Sequence, residues 1–103
     1  MLKVTPNPTF DAPVEVPVPG QVKPEKITVT FKYKSQAERD AFLEKLKTLP
    51  KVDALMEIIA GWTGVDVEFS REALENVLAN YAYIDTRFIK VFFDEHHKAL
   101  AGN

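Results

Sequence analysis

Residues 55–81 read LMEIIAGWTGVDVEFSREALENVLANY, and this stretch decides the fold. Its first part continues an apolar stripe at helical spacing, which predicts a short helix that runs to Trp62; the stripe consists of Val52, Leu55, Ile59 and Trp62. Gly64 would end that helix in the left-handed conformation. A second helix is predicted after Ser70, which suits an N-cap, and its apolar stripe consists of Leu74, Val77, Leu78 and Tyr81.

An extended connector is predicted between these two helices. Val65, Val67 and Phe69 alternate with Asp66 and Glu68, so one side of the connector would face the core and the other would face water. Residues 55–81 therefore predict a helix, a glycine stop, an extended link and a capped helix.

The residues that precede this stretch predict a β-hairpin. Six of the seven prolines lie in the first 24 residues, which excludes a helix there and predicts an extended arm over residues 1–12. Valines on one face predict a first strand, which Pro17 confines to a sheet edge; they are Val14, Val16 and Val18. Pro19-Gly20 suits a type II turn.

The second strand of the hairpin is predicted from a clean alternation over residues 26–34. Apolar side chains would point inward, and they are Ile27, Val29, Phe31 and Tyr33; the intervening threonines and lysines would face water. The hairpin over residues 13–34 then has one apolar face that needs a cover. Helices downstream would supply it.

Helices are predicted for residues 35–103. Ser35 and Glu38 form a capping box, and the helix that follows carries Phe42, Leu46 and Leu49 until Pro50 ends it. The last helix would run from Ile84 to Leu100, with more apolar residues than one stripe can hold. The sequence therefore predicts a single α+β domain over residues 1–103, with an N-terminal β-hairpin packed on a bundle of about four helices.

Bulk composition limits the function classes. The formal net charge is −2, so the whole chain has no electrostatic attraction to nucleic acid or to anionic lipid. The absence of cysteine excludes disulfides and thiolate chemistry. The N-terminus lacks the apolar core of a signal peptide, and no apolar run approaches the roughly 20 residues that span a bilayer. We expect a soluble cytoplasmic protein without nucleic-acid or membrane partners.

Two groups of residues are candidate functional sites: Asp94 with the adjacent histidines, as a metal site, and Asp66 with Glu68, as an acid–base pair. Asp94 and His97 are three residues apart on a predicted helix and could share a metal, but adjacent His96 points elsewhere and no second ligand pair exists. A solvated helix end explains these histidines. Asp66 and Glu68 face the same way, as an acid and a base would, but nothing indicates a pocket around them, and solvated carboxylates explain them better.

Basic residues near the hairpin form a third candidate. Lys32, Lys34 and Arg39, with Lys23 and Lys26 nearby, could contact phosphates. Lysines on the wet face of a hairpin also prevent edge-to-edge aggregation, which explains the pattern without a ligand. We therefore expect no catalytic residue, no cofactor and no metal, and we do not expect an enzyme.

Several stretches in order along the chain resemble the small tail assembly chaperones of long-tailed bacteriophages. The similar features are Pro8-Thr9-Phe10, Val14-Glu15-Val16-Pro17-Val18-Pro19-Gly20, Thr30-Phe31-Lys32-Tyr33-Lys34 before a helix with Phe42, Ile58-Ile59-x-x-Trp62-x-Gly64-Val65-Asp66, and Phe69-Ser70-x-x-x-Leu74-x-x-x-Leu78-x-x-Tyr81. The chain departs from these relatives after Tyr81, where they carry a proline and small residues and this sequence has Ala82-Tyr83-Ile84.

The resemblance implies a non-enzymatic helper of tail morphogenesis in the infected or lysogenic bacterial cell. Such a protein binds the long, helical tape measure protein and keeps its apolar stripes from aggregating before the tail tube polymerises. A frameshifted longer form in relatives recruits the major tail protein, which is a possible second partner. An apolar groove would suit a helical partner. The residues expected to line it are Tyr81, Tyr83, Ile89, Phe92 and Phe93.

Phe92 and Phe93 cannot both face one core from a single helical row, so one of them is expected in the core and the other on a partner-binding surface. Self-association through the same helix is also possible. Two alternative functions remain: a small structural tail or connector subunit that stays in the virion, and a small regulator that binds nucleic acid.

Overall fold

A β-hairpin begins the fold in the computed structural model, which describes residues 1–98. Its strands are β1 (Thr9–Val16) and β2 (Glu25–Lys32), and they pair antiparallel. A third strand, β3 (Ile59–Thr63), pairs antiparallel with β2, so the strand order is β1-β2-β3. The helices of the described part are α1 (Gln36–Lys45), α2 (Lys51–Met56), α3 (Arg71–Asn80) and α4 (Ile84–His96). The predicted α+β class is confirmed.

Alternating side chains build the hairpin as the sequence predicts. Residues on one face of β1 and β2 are buried, and they are Ala12, Val14, Val16, Ile27, Val29 and Phe31. Pro19 and Gly20 form the predicted type II turn, because the N–H of Gln21 donates to the carbonyl of Val18 at 3.0 Å and Gly20 has φ of 85°. Strand β1 begins at Thr9, within the residues predicted as an arm, so the arm is residues 1–8.

The predicted helix up to Trp62 is wrong. Helix α2 ends at Met56, and residues 59–63 form β3 against the open edge of β2, with Trp62 opposite Val29. Ile59 and Trp62 are three apart, which in a regular strand would place them on opposite faces. A register shift gives β3 one extra residue, Ala60, so both side chains reach the core. Because of the bulge, two core-facing residues of a strand are three positions apart, which is the spacing typical of a helix.

Gly64 has the predicted left-handed conformation, with φ of 87°, but it follows a strand instead of a helix. A Cβ atom at Gly64 would lie 3.4 Å from the Cα of Ile27, so the chain crosses close to β2 here. The link that follows differs from the predicted alternation, because Val67 is 52% exposed. Its carbonyl accepts a hydrogen bond from Trp62 Nε1–H at 2.9 Å, which fastens the link to β3.

The helix caps are those predicted. The N–H of Glu38 donates to Ser35 Oγ at 3.3 Å, and the N–H of Ser35 donates to Glu38 Oε1 at 2.9 Å, which is a complete capping box for α1. Ser70 Oγ accepts from the N–H of Ala73 at 3.0 Å at the start of α3. The last helix, α4, ends at His96 with His97 as its C-cap, and the predicted end at Leu100 lies outside the described residues.

The core lies between the apolar face of the sheet and the helices. Its centre is aromatic: Phe92 of α4 lies 6.0 Å from Phe31 of β2 and 5.7 Å from Phe42 of α1, between ring centroids. All three rings are buried. Over residues 1–98, every buried side-chain nitrogen and oxygen has a hydrogen-bond partner, so no buried polar side chain there is left unsatisfied.

The outer edge of β1 carries a proline. The N–H of Tyr33 donates to the carbonyl of Pro8 at 2.8 Å, which makes Pro8 and Tyr33 a hydrogen-bonded pair in register with the hairpin. Hydrogen-bonded and non-hydrogen-bonded pairs alternate, so Pro13, opposite Thr28, directs its nitrogen away from β2. Separately, none of the helices described for residues 1–98 has the length and apolar character needed to cross a membrane.

Candidate functional site

The residues predicted to line one partner-binding groove are separated by the structure. Phe92 is fully buried, so its expected place on a binding surface is wrong. The physical reason is that α4 turns this residue directly onto the sheet, where its ring packs against Phe31 and Phe42. The other four residues divide into two pairs: Tyr81 and Tyr83 lie at the start of α4, and Ile89 and Phe93 lie in its middle and last turn.

Phe93 lies in a groove between α1 and α4, which we name the α1–α4 groove. Its volume is about 510 Å³, and it is lined by Gln36, Arg39, Asp40, Leu43, Phe93 and His97. Leu43 is 45% exposed, although leucine is usually buried, and Phe93 is half-buried. Ile89, also half-buried, precedes Phe93 by one helical turn and therefore shares its side of α4. Two of the lining residues, Leu43 and Phe93, are apolar, and we name them the floor of the groove; the four polar lining residues are named its rim.

Three contacts, made by two residues of α1, fix the geometry of the α1–α4 groove. The ring of Phe42 lies 5.7 Å from the ring of Phe92 and 6.1 Å from that of Phe93, so one α1 residue holds α4 in place. Arg39 Nη1–H donates to the carbonyl of Lys34 at 2.6 Å, which ties the rim of the groove to the end of the hairpin. The floor is therefore held by packing and the rim by a hydrogen bond.

His96, beside the groove, does not lie at a solvated helix end as the sequence suggested. Its Nε2 atom accepts from the backbone N–H of Lys34 at 3.2 Å, and Nδ1 lies 2.9 Å from the carbonyl of Phe92. Nε2 must be unprotonated to accept a hydrogen bond. Nδ1 therefore carries the proton of the neutral ring and donates a hydrogen bond to the carbonyl of Phe92. Burial lowers the pKa of His96, and the nearby charge of Arg39 acts in the same direction.

No local pattern in the sequence indicates this role of His96. Its ring packs edge-on against Phe10, with centroids 5.2 Å apart, and lies 5.5 Å from the ring of Tyr33. Both aromatic residues belong to the N-terminal third of the chain, and only the fold brings them to the end of α4.

Tyr81 and Tyr83 lie at the other end of α4, around a second concavity that we name the hairpin-end cleft. A first part, of about 210 Å³, is lined by Val16, Val18, Glu25, Ile27, Gly64, Val65, Asp66, Val77 and Tyr81. A second part, of about 380 Å³, shares Val18 and Tyr81 with the first and is also lined by Pro17, Pro19, Asn80, Ala82, Tyr83 and Arg87. Because the two parts share these two residues, we describe them under one name.

Tyr83 is unusual in conformation and exposure. It has φ of 62°, which is a left-handed conformation that only glycine adopts freely, and its side chain is 79% exposed. Tyr83 is the N-cap of α4 and provides no side-chain cap.

The polar candidates from the sequence do not assemble into a reactive site. Lys32 Nζ–H donates to the carbonyl of Met56 at 3.2 Å, and Arg39 is bonded to Lys34, so part of the basic group serves local packing. Asp66 and Glu68 are exposed. Among residues 1–98, no three His, Asp or Glu side chains are grouped so that they could hold a metal ion.

A comparison with known protein families decides between the possible classes of function. The family model described as phage tail assembly chaperone matches residues 1–103. The chain belongs to the phage tail assembly chaperone family. No curated protein and no solved structure matches it. The resemblance found in the sequence is thereby confirmed for the whole chain.

Family membership gives this chaperone a role in tail assembly, and it points to a non-catalytic function that depends on contacts with tail proteins. The surfaces with exposed apolar side chains are therefore the relevant ones. The α1–α4 groove combines a half-exposed leucine with a half-buried phenylalanine between two helices, and the hairpin-end cleft combines valines with two tyrosines.

Proposed function

We propose that this chaperone binds the tape measure protein in the α1–α4 groove and prevents its aggregation before the tail tube polymerises. The observation that carries the proposal is the exposure of Leu43 beside Phe93. These side chains give the groove an apolar floor, and nothing within the described chain covers Leu43. An amphipathic helix that places apolar residues on this floor would cover it.

The polar rim of the groove suits a transient complex. Gln36, Asp40 and His97 lie around the floor with Arg39, so the rim carries both signs of charge and amide hydrogen-bonding groups. A helix from a long partner has charged residues on either side of its apolar stripe, and a mixed rim tolerates many such sequences. The groove would therefore select for an apolar stripe more than for one sequence. This is the property that a chaperone of a long helical protein needs.

The proposal places the chaperone in the cytoplasm of the infected or lysogenic bacterial cell, where the tape measure protein is made. It also places the protein outside the finished particle. Mass spectrometry of purified particles tests this second point. Stoichiometric amounts of the chain in the particles would instead support a structural tail or connector subunit.

The binding test is co-expression with the tape measure reading frame of the same genome. We expect the partner to become soluble and to co-purify with this chain. Leu43→Asp introduces a charge on the groove floor and should abolish co-purification, because an apolar partner helix would bury that charge. Leu43 is preferable to Phe93 for this test, since the half-buried Phe93 ring packs on Phe42 and its replacement would also weaken the fold.

Val67→Asp provides the matched control. Val67 is 52% exposed and lies outside the groove, so the same charge is added to a similarly exposed apolar residue. We expect Val67→Asp to retain the partner and both variants to keep the circular dichroism spectrum of the wild type. Equal partner recovery with Leu43→Asp and wild type would overturn the assignment of this groove.

A further inference from the structure

A third concavity, which we name the aromatic pocket, lies where the end of α4 meets the hairpin. Its volume is about 280 Å³, and it is lined by Phe10, Tyr33, Glu95 and His96. Three of these residues carry aromatic rings, and the fourth carries a carboxylate. None of them lines the α1–α4 groove or the hairpin-end cleft, so the aromatic pocket is a separate site.

The three rings form inclined walls. The ring of His96 is nearly perpendicular to that of Phe10, at 82°, and is inclined by 31° to that of Tyr33. All three side chains are half-buried, so each is held in place and still reached by solvent. The face of a phenyl or phenol ring carries partial negative charge and attracts a cation.

Glu95 gives the aromatic pocket a negative charge. Its side chain is 30% exposed, so a ligand can reach the carboxylate. Within residues 1–98 its ion-pair partner is Lys98, at 3.5 Å and 77% exposed, and a surface pair of this kind contributes little that a ligand would have to replace. Arg39, a second nearby cation, donates instead to the carbonyl of Lys34 and lines the α1–α4 groove.

His96 adds an uncharged wall. Its Nε2 atom accepts from the N–H of Lys34 and its Nδ1–H donates to the carbonyl of Phe92, so both nitrogens are occupied within the fold. Because burial lowers the pKa of His96, its ring is uncharged at neutral pH and does not repel a cation. Two aromatic walls, a neutral imidazole and one carboxylate together suit a positively charged ligand.

We propose that the aromatic pocket binds an arginine side chain of a protein partner, with the guanidinium group stacked on Tyr33 and hydrogen-bonded to Glu95. Arginine suits this pocket better than lysine, because its guanidinium group is planar, stacks on aromatic rings and donates two parallel hydrogen bonds to a carboxylate. The pocket would give the chaperone a contact that selects for charge. This assignment does not depend on which segment occupies the α1–α4 groove.

A nuclear magnetic resonance titration tests the pocket, with N-acetyl-arginine methylamide as the probe. N-acetyl-citrulline methylamide is the control compound, because it has nearly the same shape and no charge. We expect saturable shifts of the Tyr33 and His96 ring signals with the arginine compound, and binding of the citrulline compound that is weaker by about fivefold or more. Equal binding of the two compounds, or no saturable shift of these signals, would overturn the proposal.

Two variants of the chain locate the contact. Glu95→Gln removes the charge, and Tyr33→Leu removes the ring face but keeps an apolar side chain, so each should weaken binding of the arginine compound by roughly fivefold. Tyr33→Phe retains the ring face and should bind as the wild type does.

Asp94→Asn is the matched control for the carboxylate. Asp94 precedes Glu95 on α4, is paired with Lys90 and does not line the aromatic pocket, so its neutralisation should leave the affinity unchanged. Circular dichroism of every variant should match the wild type. If Glu95→Gln and Asp94→Asn weakened binding equally, the attraction would come from the overall charge of the helix end, and the assignment of the pocket would be wrong.

Discussion

The Nε2 atom of His96 accepts a hydrogen bond from the backbone N–H of Lys34 over 3.2 Å, and this bond joins the end of α4 to the segment between β2 and α1. Protonation of Nε2 would replace the acceptor with a donor and break the bond. The geometry of the α1–α4 groove, which has residues of both helices in its wall, therefore depends on a neutral histidine next to it.

Stability should decrease as the pH falls below the ordinary histidine pKa of 6.5. Burial lowers the pKa of His96 in the folded protein, so the unfolded chain binds more protons in the range below 6.5. The contribution of neutral His96 is complete above that value and is lost as the pH falls toward the lowered pKa. Urea denaturation at a series of pH values would measure this slope.

The two adjacent histidines give a matched comparison for the pH effect. His96→Gln should flatten the pH dependence between about pH 7 and pH 5 relative to the wild type. His97→Gln should change it much less, because His97 is exposed and burial, not the charge of His97, is the main cause of the lowered pKa of His96. An identical slope in wild type and His96→Gln would show that another group is responsible.

Phe92→Ala should destabilise the fold by about 3–5 kcal/mol, because it removes a large buried ring from the centre of the core. Leu43→Ala should cost less than about 1 kcal/mol, since Leu43 is 45% exposed. Chemical denaturation of both variants measures the difference. Similar losses for the two would contradict the assignment of Phe92 to the core and Leu43 to the surface.

Two glycines of β3 and its exit should respond in opposite directions to alanine. Gly64→Ala should cost about 1–2 kcal/mol, because Gly64 has φ of 87° and its backbone lies close to Ile27. Gly61→Ala should stabilise by about 0.5 kcal/mol, since no atom lies within 4 Å of the added Cβ and glycine is unfavourable inside a strand. Thermal unfolding of each variant gives the sign, and a gain for Gly64→Ala would be inconsistent with the observed turn.

Ser70→Ala should destabilise the protein by about 1 kcal/mol through loss of the bond from the N–H of Ala73 to the serine hydroxyl. Ser70→Asp should retain most of the stability, because aspartate also accepts from the first turn and its charge suits a helix N-terminus. Urea denaturation at neutral pH distinguishes these outcomes. A Ser70→Ala variant as stable as the wild type would show that the cap contributes nothing here.

The features that the sequence predicted correctly depend on neighbouring residues. The β1–β2 hairpin follows from alternation over a few positions, and the caps at Ser35 and Ser70 need a partner only three residues away. Strand β3 was missed because it depends on the distant partner β2 and because the extra residue Ala60 gives the strand helical spacing. The local spacing of apolar residues was therefore misleading for a segment whose structure is decided by its pairing with a strand distant in sequence.

The candidate site was predicted in part for a similar reason. Phe92 and Phe93 were correctly expected to face different ways, but which of them faces the core depends on how α4 rotates against the sheet. The sequence could not identify Leu43 as a surface residue, because its exposure depends on the gap between α1 and α4. His96 could not be assigned before the fold placed it beside Lys34, a residue 62 positions away.

Pro13 determines what the free side of the sheet can do. With its nitrogen directed outward and no proton on it, the outer edge of β1 has a missing donor midway between Thr9 and Val16. A strand that approached this edge would lose a hydrogen bond at the centre of its ladder, which makes templated growth into a fibre unfavourable. Pro13 therefore disfavours the addition of further strands to this edge, in a protein whose role is to assist the assembly of other proteins.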